Sequence, residues 1–306
     1  MSTSPQASGL GYHHVDVFSR TGYAGNSLAV FLDPPELTAK QLSRVTQELR
    51  HFESIFVTHT ADARVFDARV FDLEGELDFA GHPLLGAAAV LHLASDVAMG
   101  IETCWTFQLP ARTVRAQTHQ HPDGHVSALL DQGRPEFIRT LSPEQAPAIA
   151  HALGLDRGDL DPTLPLEVVS TGLRYLIVPV SDGDALARAH IQHSDFDRFL
   201  RDLGAQFAYV LDAEALEGRH WNNDGVVEDV ATGSAAGCVA AYLLRHRLAR
   251  DGVELGLKQG RFVKRPSVIA VTAHGTTNVV ERVTVGGDVA VVGVGLLLEA
   301  PALDVS

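Results

Sequence analysis

Hydrophobic and polar positions alternate along this chain in a way that already divides it into elements. Between Tyr12 and Asp33 two apolar runs, YHHVDVF and SLAVFLD, flank the turn-like SRTGYAGN and predict strands around a loop. A helix follows: Thr38 and Gln41 form a capping box, and Leu42, Val45, Leu49 and Phe52 make one apolar stripe. ESIFVTHT and the tandem ARVFDARVFD read as extended structure, the five-residue period matching no repeat fold. PLLGAAAVLHLA is apolar on every side, the mark of a helix buried within a core. Short strands around the turn HPDGH are expected over 101–130, and Ser142, Pro143 and Gln145 open another helix. STGLRYLIVPV reads as one strand, roughly 184–203 as a more polar helix, and QFAYVLDA as a strand. After VVEDVATGSAAGCVAAYLL the chain ends in strands, the last being VAVVGVGLLLEA.

One internal echo organises this pattern. Laid without a gap over DVATGSAAGCVAAYLL, the stretch DFAGHPLLGAAAVLHL puts Asp78 on Asp229, Ala80 on Ala231, Gly86 on Gly237 and Ala89 on Ala240. Both copies follow an acidic strand-like segment, turn a glycine-containing corner and enter an apolar helix, so duplication is expected. A buried helix keeps unsatisfied N–H groups in its first turn. Two such helix starts aimed at a common cleft would bind an anion through backbone alone.

Composition narrows the function classes. The 306 residues carry a formal net charge of −14, which argues against nucleic acid or an anionic membrane as partner. No stretch approaches the ~20 apolar residues needed to cross a bilayer. The opening MSTSPQASGLG lacks the regions of a signal peptide and reads as a short tail. Only Cys104 and Cys238 are present, without a CxxC neighbour, which fits a reducing cytoplasm. Lys40, Lys258 and Lys264 are the only lysines, and none lies near a motif where a pyridoxal-phosphate Schiff base would need one.

The stretches VDVFSRTGYAGNSLAVFLD, ESIFV, GELDFAGHPLLGAAAVL, STGLRYLIVPV, VVEDVATGSAAG and QGRFVKRPS, in this order over residues 15–267, resemble the PhzF-like phenazine-biosynthesis isomerases. AGHP and EDVATGSAAG are specific together. The chain departs from the family's usual pattern at Ser27 and Val230, where proline is common, and in Phe52-Glu53-Ser54-Ile55, where Ser-Glu-Thr-Thr is common; the acid stays in place. The resemblance implies an α+β fold like diaminopimelate epimerase: two similar domains, each a curved, barrel-like mixed sheet around a central apolar helix, with the reaction site between them. The domains are expected at 12–135 and 136–287, with the last strand, about 288–300, returning to the first. The resemblance also implies Glu53 as the proton shuttle, with His82, Asp229 and Ser234 completing the site. The type reaction moves a hydrogen within a dihydro-hydroxyanthranilate without metal or organic cofactor, and a homodimer is implied.

The residues themselves admit this chemistry and plainer readings beside it. Glu53 sits between Phe52 and the strand IFV, where burial suits a general acid/base, although a helix-end Glu can also be simply exposed. His82 opens a buried helix, as a neutral relay or as a core histidine. Asp229 precedes a helix and reads as its cap, a role compatible with orienting His82. Gly81, Gly233 and Ser234 at the two helix starts are the expected substrate-binding positions, Ser234 otherwise being an ordinary helix-start serine. Ser234, His82 and Asp229 spell a hydrolase triad by type, but Ser234 lacks the G-x-S-x-G elbow. A two-thiol racemase is disfavoured because Ala80 and Ala231 occupy the helix-start positions. His119 and His121 read as an exposed hairpin rather than a metal site, so no metal is expected. WNND at 221–224 has no assigned reading. The expectation is a cytoplasmic, cofactor-free isomerase of a small carboxylate. The alternatives are an epimerase of a small amino or hydroxy acid, or a non-catalytic small-acid binder.

Overall fold

The computed structural model describes residues 9–302. In chain order the elements are β1 (Leu10–Val17), β2 (Asn26–Leu32), α1 (Ala39–Leu49), β3 (Glu53–His59), β4 (Val65–Asp72), the short β5 (Glu76–Leu77), α2 (Gly81–Ala94), β6 (Thr103–Gln108), β7 (Thr113–Gln120), β8 (Val126–Gly133), β9 (Glu136–Thr140) and α3 (Ala146–Ala152). Then come β10 (Glu167–Ser170), β11 (Arg174–Val180), α4 (Gly183–Arg188), α5 (Phe196–Leu203), β12 (Phe207–Asp212), β13 (Glu217–Arg219), α6 (Gly233–Arg245), β14 (Leu255–Gln259), β15 (Ser267–Gly275) and β16 (Val280–Leu297). They form two compact units: one runs to Leu130 and resumes at Gly287, and the other is Asp131–Gly286.

In the first unit, the strands pair in the order β16, β1, β2, β3, β4, β6, β7, β8. The seven pairings run antiparallel, antiparallel, parallel, antiparallel, parallel, antiparallel, antiparallel. Parallel neighbours need a crossover; α1 supplies the one from β2 to β3, and β5 with α2 the one from β4 to β6. Helix α2 packs on β1, β2, β3, β6 and β7, which explains its all-apolar sequence. Leu84, Leu85, Val90 and Leu91 are all at most 2% exposed, each contributing about 1.5–3 kcal/mol of burial.

The second unit repeats the scheme. Its order is β9, β10, β11, β12, β13, β14, β15, β16, and the pairing directions follow the same sequence as in the first. Here α4 and α5 make the first crossover and α6 the second, with α6 packed on β10, β11 and β15. The echo read from the sequence therefore has a topological counterpart. Helices α2 and α6 end at matching positions, Ala94 and Arg245, while their starts differ by one residue. The paired glycines mark close approaches in both. A Cβ on Gly86 would lie 2.4 Å from Leu28 Cδ2, and one on Gly237 would lie 2.0 Å from Gln132 Oε1.

Four local expectations need correction. Of the expected N-terminal tail, residues 1–8 lie outside the described residues, but Leu10 starts β1 and is 1% exposed in the core beside Phe31 and Phe71. Phe52 leaves the α1 stripe because the helix stops at Arg50, in the left-handed region with φ 55°, and the ring is exposed. STGLRYLIVPV is the turn between two antiparallel strands followed by the second of them, with Gly172 at φ +132° in the turn. The helix over 184–203 is two, α4 and α5. The carbonyls of Leu186, Ala187 and Ala189 turn instead to the Arg219 guanidinium, at 3.0, 3.1 and 2.9 Å, and end α4.

Candidate functional site

Glu53 is the first residue of β3, set in register by the parallel pairing of Leu28 with Glu53 and the antiparallel pairing of Asp72 with Glu53. His82 is the second residue of α2, whose N-cap, Ala80, makes no side-chain capping bond. The two functional groups meet: His82 Nε2 lies 2.8 Å from Glu53 Oε2, with the side chains 9% and 19% exposed. The contact is short but poorly aligned. Both atoms are buried and neither makes a satisfied hydrogen bond among the described residues. A carboxylate and an imidazole so placed can pass one proton between them, yet each keeps an unused direction for a third partner. Gly81 starts the helix with room for a side chain, since a Cβ there would meet only Leu130 at 3.8 Å.

In the second unit Asp229 is not the cap of α6. It lies three residues before the N-cap, Thr232, and its carboxylate instead accepts from the Thr232 hydroxyl at 2.6 Å and the Ala231 amide at 3.3 Å. Gln259, on β14, ties this corner down. Its amide nitrogen donates to the Asp229 carbonyl and the Thr232 hydroxyl, both at 2.9 Å, and its oxygen accepts from the Thr232 amide at 3.2 Å and the Tyr209 hydroxyl at 3.1 Å. His220 is buried beneath, and its backbone carbonyl accepts from the Asp229 amide at 2.9 Å. Its Nδ1 lies 2.9 Å from the Ala208 carbonyl and so carries the ring proton. Burial pulls the imidazole below its usual pKa, against opposing effects of Asp229 and the Ala208 carbonyl, so it stays neutral.

Ser234, the second residue of α6, shares a 2.7 Å hydrogen bond with the Tyr175 hydroxyl. Burial raises the Tyr175 phenol well above its usual pKa, so it remains a donor. Gln132 donates to the Gly233 carbonyl at 3.0 Å and accepts from Thr171 at 2.9 Å. One turn further on, burial pushes the Cys238 thiol up to about 12, leaving it a thiol at neutral pH; Cys104 is exposed on β6. Tyr175, Gln132, Gln259, Thr232 and His220 were not singled out in the sequence. Tyr175 and Gln259 lie inside the quoted stretches STGLRYLIVPV and QGRFVKRPS, but nothing in their spacing marks them. WNND forms a hairpin turn: Gly225 N–H donates to Asn222 and Asn222 N–H to Val227, while Asn223 reaches Asp197 and Gln206.

Comparison with known proteins places the chain in a family. The family model described as phenazine biosynthesis-like protein matches residues 15–295. The trans-2,3-dihydro-3-hydroxyanthranilate isomerase of Pseudomonas fluorescens is 31% identical over 294 residues, 94% of this chain and 99% of that one. A solved structure titled a predicted epimerase, from Pseudomonas aeruginosa, is 44% identical, with a TM-score of 0.85 over 95% of this chain and 100% of its own. The hydroxyproline epimerase of Agrobacterium vitis is only 13% identical but shares the fold, with a TM-score of 0.58 over 94% of this chain and 92% of its own. The fold is thus a mixed α+β, epimerase-like one. With a family match over residues 15–295 and curated isomerases among its full-length relatives, this chain belongs to the phenazine-biosynthesis-like (PhzC-PhzF) family and is an isomerase.

Proposed function

We propose that the chain isomerises a small carboxylate by moving a proton from one carbon to another without a cofactor, with Glu53 as general acid/base. The observation that carries this reading is the Glu53–His82 contact of 2.8 Å between two buried atoms that lack aligned partners among the described residues. Glu53 takes the proton from the substrate carbon and returns it elsewhere; His82 holds the carboxylate and accepts or lends a proton as its charge changes. Asp229, fixed by Thr232 and Gln259, is assigned to the same reaction. Gly81 in the first unit, and Gly233 and Ser234 in the second, are assigned to substrate binding. The substrate class is that of the 31%-identical relative, a dihydro-hydroxyanthranilate or a cyclic acid like it. The protein is expected to act in the cytoplasm as a homodimer.

The second reading is epimerisation of a small amino or hydroxy acid, favoured by the 44%-identical structure described as a predicted epimerase. It would not use two thiols, because Cys238 is buried and protonated. Incubation in heavy water with trans-2,3-dihydro-3-hydroxyanthranilate and a panel of chiral amino and hydroxy acids separates the two. Isomerisation gives a product of new connectivity, with deuterium at the receiving carbon to the extent that the proton on Glu53 exchanges with solvent, whereas epimerisation gives the mirror centre with connectivity kept. Glu53→Gln preserves shape but cannot take up the proton, so turnover should fall at least ~10²-fold. Wild-type turnover in that variant would remove Glu53 from the mechanism.

A further inference from the structure

The β7–β8 hairpin carries a group of side chains that the isomerase site does not use. His121 and His125 flank its turn and are locked opposite each other by backbone bonds: His121 N–H to the His125 carbonyl at 2.9 Å and Gly124 N–H to His121 at 2.8 Å. Their rings stack at 4.0 Å, 4° from parallel. From β16, Asp288 Oδ1 approaches His125 Nε2 to 3.3 Å, and one donor atom from each of His121, His125 and Asp288 lies within 4.8 Å of the others. Two ligands of a tetrahedral zinc with bonds of about 2.0–2.2 Å sit about 3.3–3.5 Å apart, the separation seen between His125 and Asp288.

From these residues we propose that His121, His125 and Asp288 form a binding site for a divalent transition-metal ion, zinc by donor type, with a fourth position open to water. Two imidazoles and one carboxylate suit zinc, and backbone pairing across a tight turn fixes the two histidine backbones, though not the His121 ring, before the ion arrives. The surroundings are those of a metal site. Asp123 bonds His125 Nδ1, which fixes the proton there and leaves the Nε2 lone pair directed at Asp288. Arg20 pairs with Asp123, and Ser127 Oγ holds His121 Nε2 at 2.9 Å, leaving Nδ1 as the metal-binding nitrogen. His119 packs edge-on to His121 at 4.6 Å, its buried Nδ1 without a partner among the described residues. Two parallel rings cannot both aim lone pairs at one ion, so His121 must turn out of the stack on binding. The ion then ties the hairpin to β16, a structural role separate from proton transfer at Glu53.

The test uses the full-length protein, stripped with chelator and titrated with Zn²⁺ by calorimetry at pH 7.5. The expected result is one site per chain with a Kd below ~10 µM, weakened at least ~10-fold in His125→Ala and in Asp288→Asn. Asp123→Asn, which keeps every ligand but loses the carboxylate behind His125, should weaken binding about 10-fold. Circular dichroism melts of the variants confirm folding, and Co²⁺ loaded in place of zinc should show the strong visible bands of a four-coordinate ion. The histidine on β15 serves as control, and His274→Gln should bind as wild type does. A wild-type Kd weaker than ~10 µM, a site retained by both His125→Ala and Asp288→Asn, or an equal loss in the control would overturn the assignment.

Discussion

Replacing Glu228 by glutamine should destabilise the second unit more than any surface charge change. Arg219 and Glu228 are each 9% exposed and bonded twice, Nε to Oε1 at 3.0 Å and Nη2 to Oε2 at 2.7 Å. The guanidinium also lies against Trp221 and Phe262, with centroids 4.5 and 4.2 Å away. Glu228→Gln keeps the shape but leaves one Arg219 N–H facing an amide N–H, with a cation no longer neutralised. Breaking a buried pair costs about 3–5 kcal/mol; because Nη1 keeps its three carbonyls, the lower end applies, about 3 kcal/mol. For 150–250 residues each kcal/mol lowers Tm by about 2–4 °C, so the expected drop is about 6–12 °C. The two tryptophans fall one in each unit, so fluorescence of Trp221 in a Trp105→Phe background reports this unit during urea or heat unfolding. The exposed Arg201–Asp197 pair is the comparison, and Arg201→Ala should cost no more than about 1 kcal/mol. Well below the melt, turnover should fall less than ~10-fold, because Thr232, the Ala231 amide and Gln259 hold Asp229 independently. A loss under ~1 kcal/mol in Glu228→Gln, or one equal to that of Arg201→Ala, would refute the reasoning.

Other outcomes follow from the same geometry. Tyr175→Phe removes the hydroxyl partner of Ser234 and should cost about 0.5–1.5 kcal/mol of stability by urea unfolding, with a rise in KM larger than the change in kcat. Gly237→Ala would drive a methyl into Gln132 Oε1 and strip its bonds to Thr171 and Gly233; a cost of about 1–3 kcal/mol is expected, measured against Gly86→Ala at the matching position of α2. His220 has a folded pKa below its unfolded value of 6.5, so its contribution is complete above 6.5 and declines as pH falls through 6.5 toward the folded value. The urea midpoint should therefore drop between pH 7.5 and 5.5, and drop less in His220→Asn. Exhaustive chelation should leave turnover unchanged, since none of the residues assigned to proton transfer belongs to the His121–His125–Asp288 group; activity lost to chelator and restored by zinc would contradict this.

What was legible in the sequence was whatever neighbours in the chain decide. The all-apolar runs after Gly81 and Gly233 can be stable only as buried helices, and both are. The Thr38–Gln41 box acts within four residues and forms as read. What escaped was set by distant partners. The break between α4 and α5 is invisible locally, because the group that collects the α4 carbonyls is Arg219, about 30 residues away. Asp229 looked like a helix cap because Asp often is one. Its real partners are chosen by the Thr232 hydroxyl and by Gln259 on another strand. Tyr175 reads as a strand aromatic until its hydroxyl is seen on Ser234, 59 positions along. Asp288 likewise becomes a neighbour of His121 and His125 only once β16 lies beside the hairpin.

The repeated topology bears on how an isomerase site arises from one ancestral unit. Both copies keep the strand directions, the second crossover helix and the crowded glycine, which are the parts that packing requires. In the first turn of that helix the two copies carry different polar residues. The echo sets His82 against Gly233, and Pro83 against Ser234. The first copy has a titratable pair there, a buried carboxylate and imidazole in contact. The second has a phenol that burial keeps protonated and a hydroxyl bonded to it. Proton transfer needs a group whose charge changes, whereas a hydroxyl pair that stays protonated can hold a substrate through hydrogen bonds alone. On the proposed assignments, Glu53 and His82 move the proton in the first copy, while Ser234 and Tyr175 stay uncharged in the second. Under this account, placing histidine at Gly233 should weaken substrate affinity without adding activity, and such a variant that gained turnover would count against these different roles of the two helix starts.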